Sequence, residues 1–438
     1  MSVKNKVKNR LNNIREFYVP YDKDVKLRYL LKPGFRKESK AETQAFRQYI
    51  RDINARSKKE RPLIVFICQV PALWNGVRSI YEAAEKNPDV DVLCLSLPEK
   101  IMGENYDVTW EKYGKDEAYD FLKQQGCNVL HAQTEDGWLD LRSLSPDYVF
   151  LPRPYDIHLP ECYRSYEICK YTKICCIPYG ANSCHWDIKM SFEFNFIKNV
   201  YMGFLDNHYY YEQMKKICSF LGWNDCKKMF DFGYPTYDHY KTDCRRNIDI
   251  KRVLWTPRWT MDANREASSF FNFWETLKAY FEEHTDIDFV CRPHPLMFRN
   301  FLSCHLITEE EIDDFKKAFE ENDNFILDEG GDYEKTLMEA DLYIADYSGL
   351  LVEEAYIGKP IIYGGSIQHF TSFSKKLNRG MYNVEKPEEL IKVLNQLLSG
   401  NDPKYEDRMA AVKMLKQNGD SNIGEEIVAE IVKDYRNC

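Results

Sequence analysis

The chain of 438 residues lacks the features that would place it within a membrane or outside the cell. It has no apolar run close to the roughly 20 residues needed to span a bilayer, and no secretory signal is recognisable. Its 14 cysteines include no C-x-x-C pair, and those between Cys162 and Cys184 do not have the spacing of a zinc site. We therefore expect reduced thiols, a cytoplasmic location, and neither a metal ion nor a cofactor.

Charge is distributed unevenly along the chain. Residues 1–61 hold 18 Lys and Arg against 7 Asp and Glu, a charge of +11, whereas the remaining residues sum to −20. The body is acidic and the basic segment carries no motif typical of nucleic-acid binding. Nucleic acid is therefore not a predicted partner.

Residues 1–60 are predicted to form a basic helical leader. Apolar residues recur at helical spacing from Val3 to Ile14, and a second helix is predicted over residues 40–56. Such a leader suits an anionic membrane surface, where each basic residue contributes on the order of 1 kcal/mol, or a polyanionic acceptor polymer. A solvated basic helix packed on its own domain is the alternative.

The chain is longer than a single core usually supports, so two domains are expected. An apolar strand over 63–68, a helix ending near Glu85 and a strand over 90–95 form the alternation typical of a parallel sheet. We predict an α/β protein with two Rossmann-like domains, at 61–246 and 247–400. The tail over 401–438 is predicted to be helical.

The segment from Ala340 to Gly364 is the most informative part of the sequence. It contains a predicted strand at 342–345, a polar turn from Asp346 to Gly349, a helix over 350–357 and a second strand at 361–363. The start of a helix directs free N–H groups toward an anion. The segment therefore favours a diphosphate site and a nucleotide-dependent transferase, although an ordinary strand-turn-helix is the alternative.

Two further strand ends carry groups that bind anions. The segment Arg292–Pro295 has an arginine and a histidine among prolines, and the segment Thr256–Thr260 contains Arg258. Arginine offers a planar fork to phosphate oxygens, and histidine can donate a hydrogen bond or a proton near neutral pH. Ligands of open parallel sheets lie beyond the carboxyl ends of the strands, where all three segments fall.

These segments resemble the CDP-glycerol glycerophosphotransferases and related polyol-phosphate polymerases, which build teichoic acids and some capsules. An R-x-H-P motif is matched by Arg292–Pro295, and a D-Y-S-S motif by Asp346–Gly349. An acidic residue and K-P-I-I follow as Glu353 and Lys359–Ile362, and A-P-T-W-R is matched loosely by Thr256–Thr260. The resemblance is strongest over 253–363. It implies a GT-B fold, in which two Rossmann-like domains face each other across a cleft.

Two positions depart from the family pattern. A W-H-G segment supplies the histidine often assigned as the base, whereas Tyr179 stands in that position here. Tyrosine has an ordinary pKa of about 10, so His185 and Asp156 are alternative bases. The arginine after tryptophan in the first motif is Thr260, and Arg258 is the candidate to replace its charge.

The resemblance implies attack of an acceptor hydroxyl on the β-phosphorus of CDP-glycerol or CDP-ribitol, with release of CMP. The implied catalytic residues are His294, Arg292 and Tyr179. The implied nucleotide-binding residues are Thr256, Arg258, Asp346, Ser348, Gly349 and Glu353. Among them, Arg258, Ser348 and the Gly349 N–H would hold the diphosphate, whereas Glu353 would bind the ribose and Asp346 would cap the turn.

The implied acceptor is a polyol-phosphate, a glycan or a lipid-linked acceptor, used on the inner face of the cell membrane by a peripheral protein. Two alternatives remain open at the level of sequence. A GT-B glycosyltransferase that uses a nucleotide sugar would need the same phosphate-binding groups. A catalytically inactive relative that binds acceptor polymer or lipid is the other alternative, because Tyr179 replaces the family histidine.

Overall fold

The computed structural model describes residues 12–101, 112–246, 248–263, 266–330, 333–416 and 422–437. These residues form two compact units. Unit 1 contains the described residues up to Asp238 together with 422–437, and unit 2 contains those from His239 to residue 416. Each unit is an α/β domain with its own parallel sheet. The predicted pair of Rossmann-like domains is therefore confirmed.

The sheet of unit 1 has seven parallel strands. They are β1 (Leu63–Cys68), β2 (Asp91–Ser96), β3 (Val129–His131), β4 (Tyr148–Phe150), β5 (Lys173–Cys176), β6 (Met202–Leu205) and β7 (Lys228–Asp231). Their order in the sheet is β3-β2-β1-β4-β5-β6-β7. Strand β1 is apolar and almost entirely buried, as expected for a parallel strand covered on both faces. A short antiparallel pair, Gln133–Thr134 with Gly137–Trp138, follows β3.

The helices of the N-terminal part of the chain belong to unit 1. They are α1 (Tyr21–Leu31), α2 (Pro33–Asn54), α3 (Asn75–Lys86), α4 (Glu117–Gln124), α5 (Ser165–Ile168), α6 (His185–Ser191), α7 (Phe194–Ile197) and α8 (His208–Leu221). Residues 12–18 are also helical. The start of the predicted first helix at Val3 lies outside the described residues.

The described part of the leader is helical, and it packs on the rest of unit 1. The Tyr21 N–H donates to Gln213 Oε1 at 2.6 Å, and Trp223 Nε1 donates to Thr43 Oγ1 at 2.8 Å. Arg47 pairs with Asp225 at 2.8 Å. Helix α2 begins earlier than the predicted residue 40, because its proline occupies the first turn, where no backbone N–H is needed.

The sheet of unit 2 has six parallel strands. They are β8 (Arg252–Thr256), β9 (Asp288–Cys291), β10 (Phe325–Leu327), β11 (Leu342–Ala345), β12 (Ile361–Tyr363) and β13 (Tyr382–Asn383). Their order is β10-β9-β8-β11-β12-β13. The predicted strands at 342–345 and 361–363 are therefore present, with the predicted bounds.

The helices of unit 2 cover this sheet. They are α9 (Phe270–Glu283), α10 (Met297–Ser303), α11 (Glu309–Glu321), α12 (Tyr333–Glu339), α13 (Leu350–Ile357), α14 (Ser372–Leu377), α15 (Pro387–Leu398) and α16 (Tyr405–Leu415). The core between helices and sheet is rich in aromatic rings, such as Trp255 stacked on Phe270 with ring centroids 5.7 Å apart. The last helix, α17 (Ile423–Asn437), belongs to unit 1, where its Asp434 pairs with Lys173 of β5 at 2.7 Å.

Each sheet has one point at which the order of its strands reverses. In unit 1, β1 to β3 extend in one direction and β4 to β7 in the other. In unit 2, β8 to β10 extend in one direction and β11 to β13 in the other. Ligands of open parallel sheets bind at the carboxyl ends of the strands at such a point. We call the carboxyl ends of β1, β2 and β4 the unit 1 switch point, and those of β8, β9 and β11 the unit 2 switch point.

Candidate functional site

The unit 2 switch point brings the three sequence motifs together. Strand β8 pairs with β9 on one side and with β11 on the other. The register places Trp255 opposite Cys291, and Thr256 opposite Ala345. The segments that follow these strands therefore emerge side by side at one edge of the sheet, as expected from parallel pairing.

Asp346 holds the loops at this edge of the sheet together through hydrogen bonds. Its carboxylate is fully buried and accepts hydrogen bonds from the Arg258 N–H at 2.8 Å, the Ser269 N–H at 2.9 Å and the Ser268 hydroxyl at 3.0 Å. Burial raises the pKa of Asp346, and these hydrogen bonds act in the opposite direction. The side chain therefore caps backbone N–H groups, which is the role that the sequence implied for it.

Arg258 places a partly buried cation beside the turn after β11. Its Nη1 donates to the Tyr347 carbonyl, and its guanidinium lies over the Tyr347 ring, 4.6 Å from the centroid. The Trp259 ring is 5.6 Å away. Its Nε is buried and has no hydrogen-bond partner among the described residues. Arg258 therefore retains a donor and a positive charge for an anion.

His294 is held as a neutral hydrogen-bond donor. Its backbone N–H donates to the Pro257 carbonyl at 3.2 Å, and its Nδ1 accepts from the Leu296 N–H at 3.1 Å. Because Nδ1 accepts, the proton of the neutral ring lies on Nε2. Burial, with a further contribution from the charge of Arg258, lowers the pKa of His294 to about 4. At neutral pH the ring therefore offers an N–H without a charge.

Ser348 and Gly349 form the start of helix α13. Gly349 is exposed at the N-cap position, where no side chain caps the helix. The Ser348 hydroxyl oxygen is buried, and it has no partner in the part of the chain that the structure describes. The first N–H groups of a helix have no partners within it, and the helix dipole favours an anion at this end. The turn therefore has the geometry of an anion site.

Arg292 is already paired within unit 2. Its Nη1 donates to Asp328 Oδ2 at 2.6 Å, and its Nη2 donates to the Gly330 carbonyl at 2.6 Å. The pKa of Asp328 is lowered by its hydrogen bonds and by Arg292, despite the opposing effect of burial. The guanidinium thus ties the segment after β9 to the segment after β10. Sequence reasoning missed Asp328, although it follows the apolar strand β10 directly.

Two carboxyl groups on helix α13 are buried beside the sheet. Glu353 accepts a hydrogen bond from the Tyr240 hydroxyl, and burial raises its pKa to about 8. Glu354 accepts from the Thr256 hydroxyl at 3.4 Å, and burial raises its pKa to about 8 as well. The structure therefore places Glu353, the predicted ribose ligand, against a tyrosine of unit 2. Glu354 was missed, although two consecutive acidic residues in an apolar helix are an unusual pattern.

A buried pair of Glu266 and His369 was not predicted either. Glu266 Oε1 lies 2.7 Å from His369 Nδ1, and both side chains are almost inaccessible to solvent. Burial raises the pKa of Glu266, whereas His369 and the charge of Arg258 lower it. The residues are separated by more than half of unit 2 in sequence, so no local pattern could have indicated the pair.

The proposed bases lie in unit 1. Tyr179 follows β5, is about half exposed (54%), and has its ring centroid 6.4 Å from that of Tyr155. Asp156 accepts from both the N–H and the hydroxyl of Ser165, each at 2.7 Å, so its carboxylate holds a loop. His185 begins helix α6, with its ring centroid 6.1 Å from that of Tyr209.

Two kinds of feature are absent from the described residues. No group of three or more His, Cys, Asp or Glu side chains within them could hold a metal ion. None of the helices in those same ranges combines the length and the apolar character needed to cross a membrane.

A family model described as CDP-glycerol:poly(glycerophosphate) glycerophosphotransferase matches residues 211–433. This match spans half of the chain and includes all three motifs of the unit 2 switch point. The chain belongs to this family. The predicted family is thus confirmed, and the enzyme class is that of a glycerophosphotransferase. No curated protein matches the chain by sequence.

Solved structures similar to this glycerophosphotransferase-family protein share its fold at low sequence identity. A UDP-N-acetylglucosamine 2-epimerase has a TM-score of 0.54 and 14% identity, over 87% of this chain and 98% of its own. The UDP-GlcNAc 2-epimerase of Methanocaldococcus jannaschii has a TM-score of 0.52 and 15% identity, over 85% of this chain and 99% of its own. A variant of the wall teichoic acid polymerase TagF has a TM-score of 0.51 and 13% identity, over 95% of this chain and 99% of its own.

Proposed function

We propose that this protein transfers an alditol phosphate from a CDP-alditol, CDP-glycerol or CDP-ribitol, to an acceptor hydroxyl of a cell-surface polymer such as teichoic acid or capsule, with release of CMP. The observation that carries the proposal is the set of unused donors at the unit 2 switch point. Arg258 Nε and the Ser348 hydroxyl are buried without partners among the described residues, and the uncapped start of α13 lies beside them. Buried polar groups are normally satisfied, so a ligand with several acceptor oxygens is expected there.

A nucleoside diphosphate supplies such oxygens. In the proposed reaction the acceptor oxygen forms a bond to the β-phosphorus, the bond from that phosphorus to the bridging oxygen breaks, and the proton of the hydroxyl is released to solvent. Negative charge builds up on the departing CMP. Arg258, the N–H at His294 Nε2 and the N–H groups at Gly349 are held by the fold before the substrate arrives, so they stabilise this charge without reorganising.

Arg292 and Glu353 have indirect roles in this proposal. The guanidinium of Arg292 is engaged by Asp328 and Gly330, so its part is to fix the loop that carries His294. Glu353 is engaged by Tyr240. Binding of the ribose by Glu353 would therefore require the nucleotide to share this carboxyl group with the tyrosine.

The decisive experiment measures CMP release from CDP-glycerol and CDP-ribitol in the presence of polyol-phosphate acceptors. His294→Asn is the sharpest variant, because the asparagine oxygen can accept the Leu296 N–H as Nδ1 does while the Nε2 donor is lost. We expect a loss of about 10²-fold to 10³-fold in kcat, the usual effect of removing one such donor. His294→Gln, which restores an N–H near the Nε2 position, should recover part of the activity.

The matched control is His305→Asn, a histidine of the same unit that is exposed and adopts a positive φ of 55°, a conformation that asparagine tolerates. It should leave CMP release unchanged. Release of UMP or UDP from UDP-sugars, or of CMP from CMP-sugars, with no turnover of either CDP-alditol would replace the proposal with a glycosyltransferase. No turnover of any donor by the folded wild type would contradict a catalytic role.

We also propose that the leader contacts an anionic membrane surface. Lys23, Leu27, Leu30 and Leu31 are exposed along helix α1, and the two last leucines are 65% and 74% accessible. These residues give the surface of α1 both apolar and basic groups, and each basic residue near an anionic membrane contributes on the order of 1 kcal/mol. Such a surface would keep the enzyme near a lipid-linked acceptor.

Vesicle flotation tests this second proposal. Leu30→Ser combined with Leu31→Ser should weaken flotation with vesicles rich in phosphatidylglycerol, whereas Leu306→Ser, at an exposed leucine of unit 2, should not. Flotation that is equal for all three proteins, or absent for the wild type, would contradict a membrane role for α1.

A further inference from the structure

The unit 1 switch point carries a second cluster of polar side chains. Gln69 directly follows β1, Glu99 lies three residues after β2, and Arg153 lies three residues after β4. Strand β1 pairs with both β2 and β4, so the three loops emerge next to one another. The position within this sheet corresponds to that of the three motifs within the sheet of unit 2.

Arg153 is buried but only partly paired. Its side chain is 9% exposed, and its Nη2 donates to Glu99 Oε1 at 2.6 Å. Its Nη1 is buried and has no hydrogen-bond partner within the described ranges. Because Glu99 compensates the charge of the guanidinium, the free Nη1 offers a directed N–H rather than an uncompensated cation.

The side-chain amide of Gln69 is hydrogen-bonded through its nitrogen. Its Nε2 donates to the carbonyl oxygens of His158 at 3.0 Å and Pro98 at 3.4 Å. The residue is 1% exposed, and the described residues provide no partner for its Oε1. Together with Arg153 Nη1, the cluster therefore contains an acceptor and a donor that have no hydrogen-bond partner among the described residues.

His158 completes the cluster. Its Nδ1 lies 3.7 Å from Glu99 Oε1, beyond hydrogen-bond distance, and has no partner among the described residues. Burial and the charge of Arg153 lower the pKa of His158 to about 4, so the ring is neutral at physiological pH. The Tyr155 ring lies 5.7 Å from the His158 ring, and the Tyr179 ring lies 6.4 Å from that of Tyr155.

We propose that Gln69, Glu99, Arg153 and His158 form a binding site for a group with neighbouring hydroxyls, the terminal alditol of the acceptor. A hydroxyl both donates and accepts, which matches Arg153 Nη1 as donor and Gln69 Oε1 and the His158 ring as acceptors. Because Arg153 is paired with Glu99, it attracts a bare phosphate less than an unpaired arginine would. The aromatic rings of Tyr155 and Tyr179 supply an apolar surface for the carbon chain. This inference rests on the proposed function for the nature of the acceptor.

Saturation-transfer NMR on the full chain tests the site, with a synthetic glycerol-phosphate trimer and free ribitol as probes and inorganic phosphate as the comparison. We expect saturation of the terminal glycerol protons of the trimer. His158→Leu and Gln69→Leu should each weaken binding of the trimer at least tenfold, and His158→Asn, which keeps an acceptor near Nδ1, should weaken it less. His131→Leu, at a half-exposed histidine that ends β3 in the same sheet, is the matched control.

Near-UV circular dichroism establishes that each variant is folded, and His158→Asn provides a milder change if His158→Leu does not fold. Trimer binding that survives His158→Leu and Gln69→Leu, or that falls equally in His131→Leu, overturns the inference, as does absence of binding to the wild type. His294→Asn should leave trimer binding unchanged. If no CDP-alditol releases CMP but trimer binding is weakened by His158→Leu and Gln69→Leu, the proposed function is wrong and the unit 1 binding site is supported. If CMP is released but trimer binding is not weakened by these variants, only the unit 1 binding site is wrong.

Discussion

The two units place polar side chains at the same position of the same kind of sheet, yet the arginine at that position is hydrogen-bonded differently in each. At the unit 2 switch point Arg258 faces the start of a helix and a neutral histidine, and no carboxylate hydrogen-bonds its guanidinium among the described residues. At the unit 1 switch point Arg153 is bonded to Glu99. In the two proposals, the topology determines where a ligand is expected, and the pairing of the local arginine determines which kind of ligand is expected.

The largest effect is expected at Asp346, whose hydrogen bonds hold the loops of the unit 2 switch point together. Asp346→Ala removes the acceptor of two backbone N–H groups and of the Ser268 hydroxyl. Hydrogen bonds to a charged group contribute about 1.5–3 kcal/mol each, and donors left without partners add a cost. We expect a loss of about 4 kcal/mol in the free energy of unfolding, measured by urea denaturation. Asp323→Ala, at an exposed position of unit 2, should change it by less than about 0.5 kcal/mol.

The next prediction contrasts the two arginines. Arg258→Met should lower kcat for CMP release by about 10²-fold or more, because it removes a preorganised cation. Arg153→Met should mainly raise the KM for the acceptor, because the side chain is proposed to bind a ground-state hydroxyl group. Steady-state kinetics with varied donor and acceptor separate these cases. The same kinetic profile for both variants would remove the distinction between the two switch points.

A third prediction concerns the pKa values of His294 and His158, measured by NMR of labelled imidazole rings. Both pKa values are lowered to about 4, chiefly by burial. Added CDP should raise the pKa of His294 by at least about one unit, since an adjacent anion favours the charged ring, and should leave His158 unchanged. Equal shifts for both rings would place the nucleotide elsewhere.

The same pKa values determine the pH range over which the free energy of unfolding changes. The unfolded chain binds protons near the ordinary histidine pKa of about 6.5, whereas the folded rings stay neutral down to about pH 4. As the pH falls from 6.5 toward 4, the unfolded state therefore binds more protons and stability decreases, and above 6.5 these histidines cause no pH dependence. His294→Asn and His158→Asn should each weaken the dependence of the denaturation midpoint on pH over this range. A slope unchanged in both variants would contradict the lowered pKa values.

The smallest effect is expected at Ser348. Its hydroxyl has no partner among the described residues, so Ser348→Ala should not reduce the free energy of unfolding but should lower kcat about tenfold, as expected for one lost hydrogen bond to a charged oxygen. A measurable loss of stability together with full activity would show that the hydroxyl serves the fold instead. Ser303→Ala, at an exposed serine whose hydroxyl bonds to a helix carbonyl, controls for removal of a hydroxyl from the same unit.

Much of the fold followed from the sequence because its strands are short apolar runs that alternate with helices. The strands over 342–345 and 361–363, and the turn between them, have the predicted positions. The edge strand β13 was not predicted, and helix α1 lies within the predicted helical leader but its bounds were not predicted. Strand β13 has only two residues, and α1 shows little segregation of apolar from polar residues around its axis, so neither carries a clear periodic signal.

By itself, the sequence determined the family, the two α/β domains and the convergence of Arg258, His294 and Ser348. The convergence follows because the carboxyl ends of parallel strands meet at one edge of a sheet. Only the tertiary structure decided which charges remain available. Arg292 is paired with Asp328, Glu353 with Tyr240, and Arg153 with Glu99. These partners lie 36 to 113 residues apart in the chain, and contacts over such distances depend on packing rather than on local pattern.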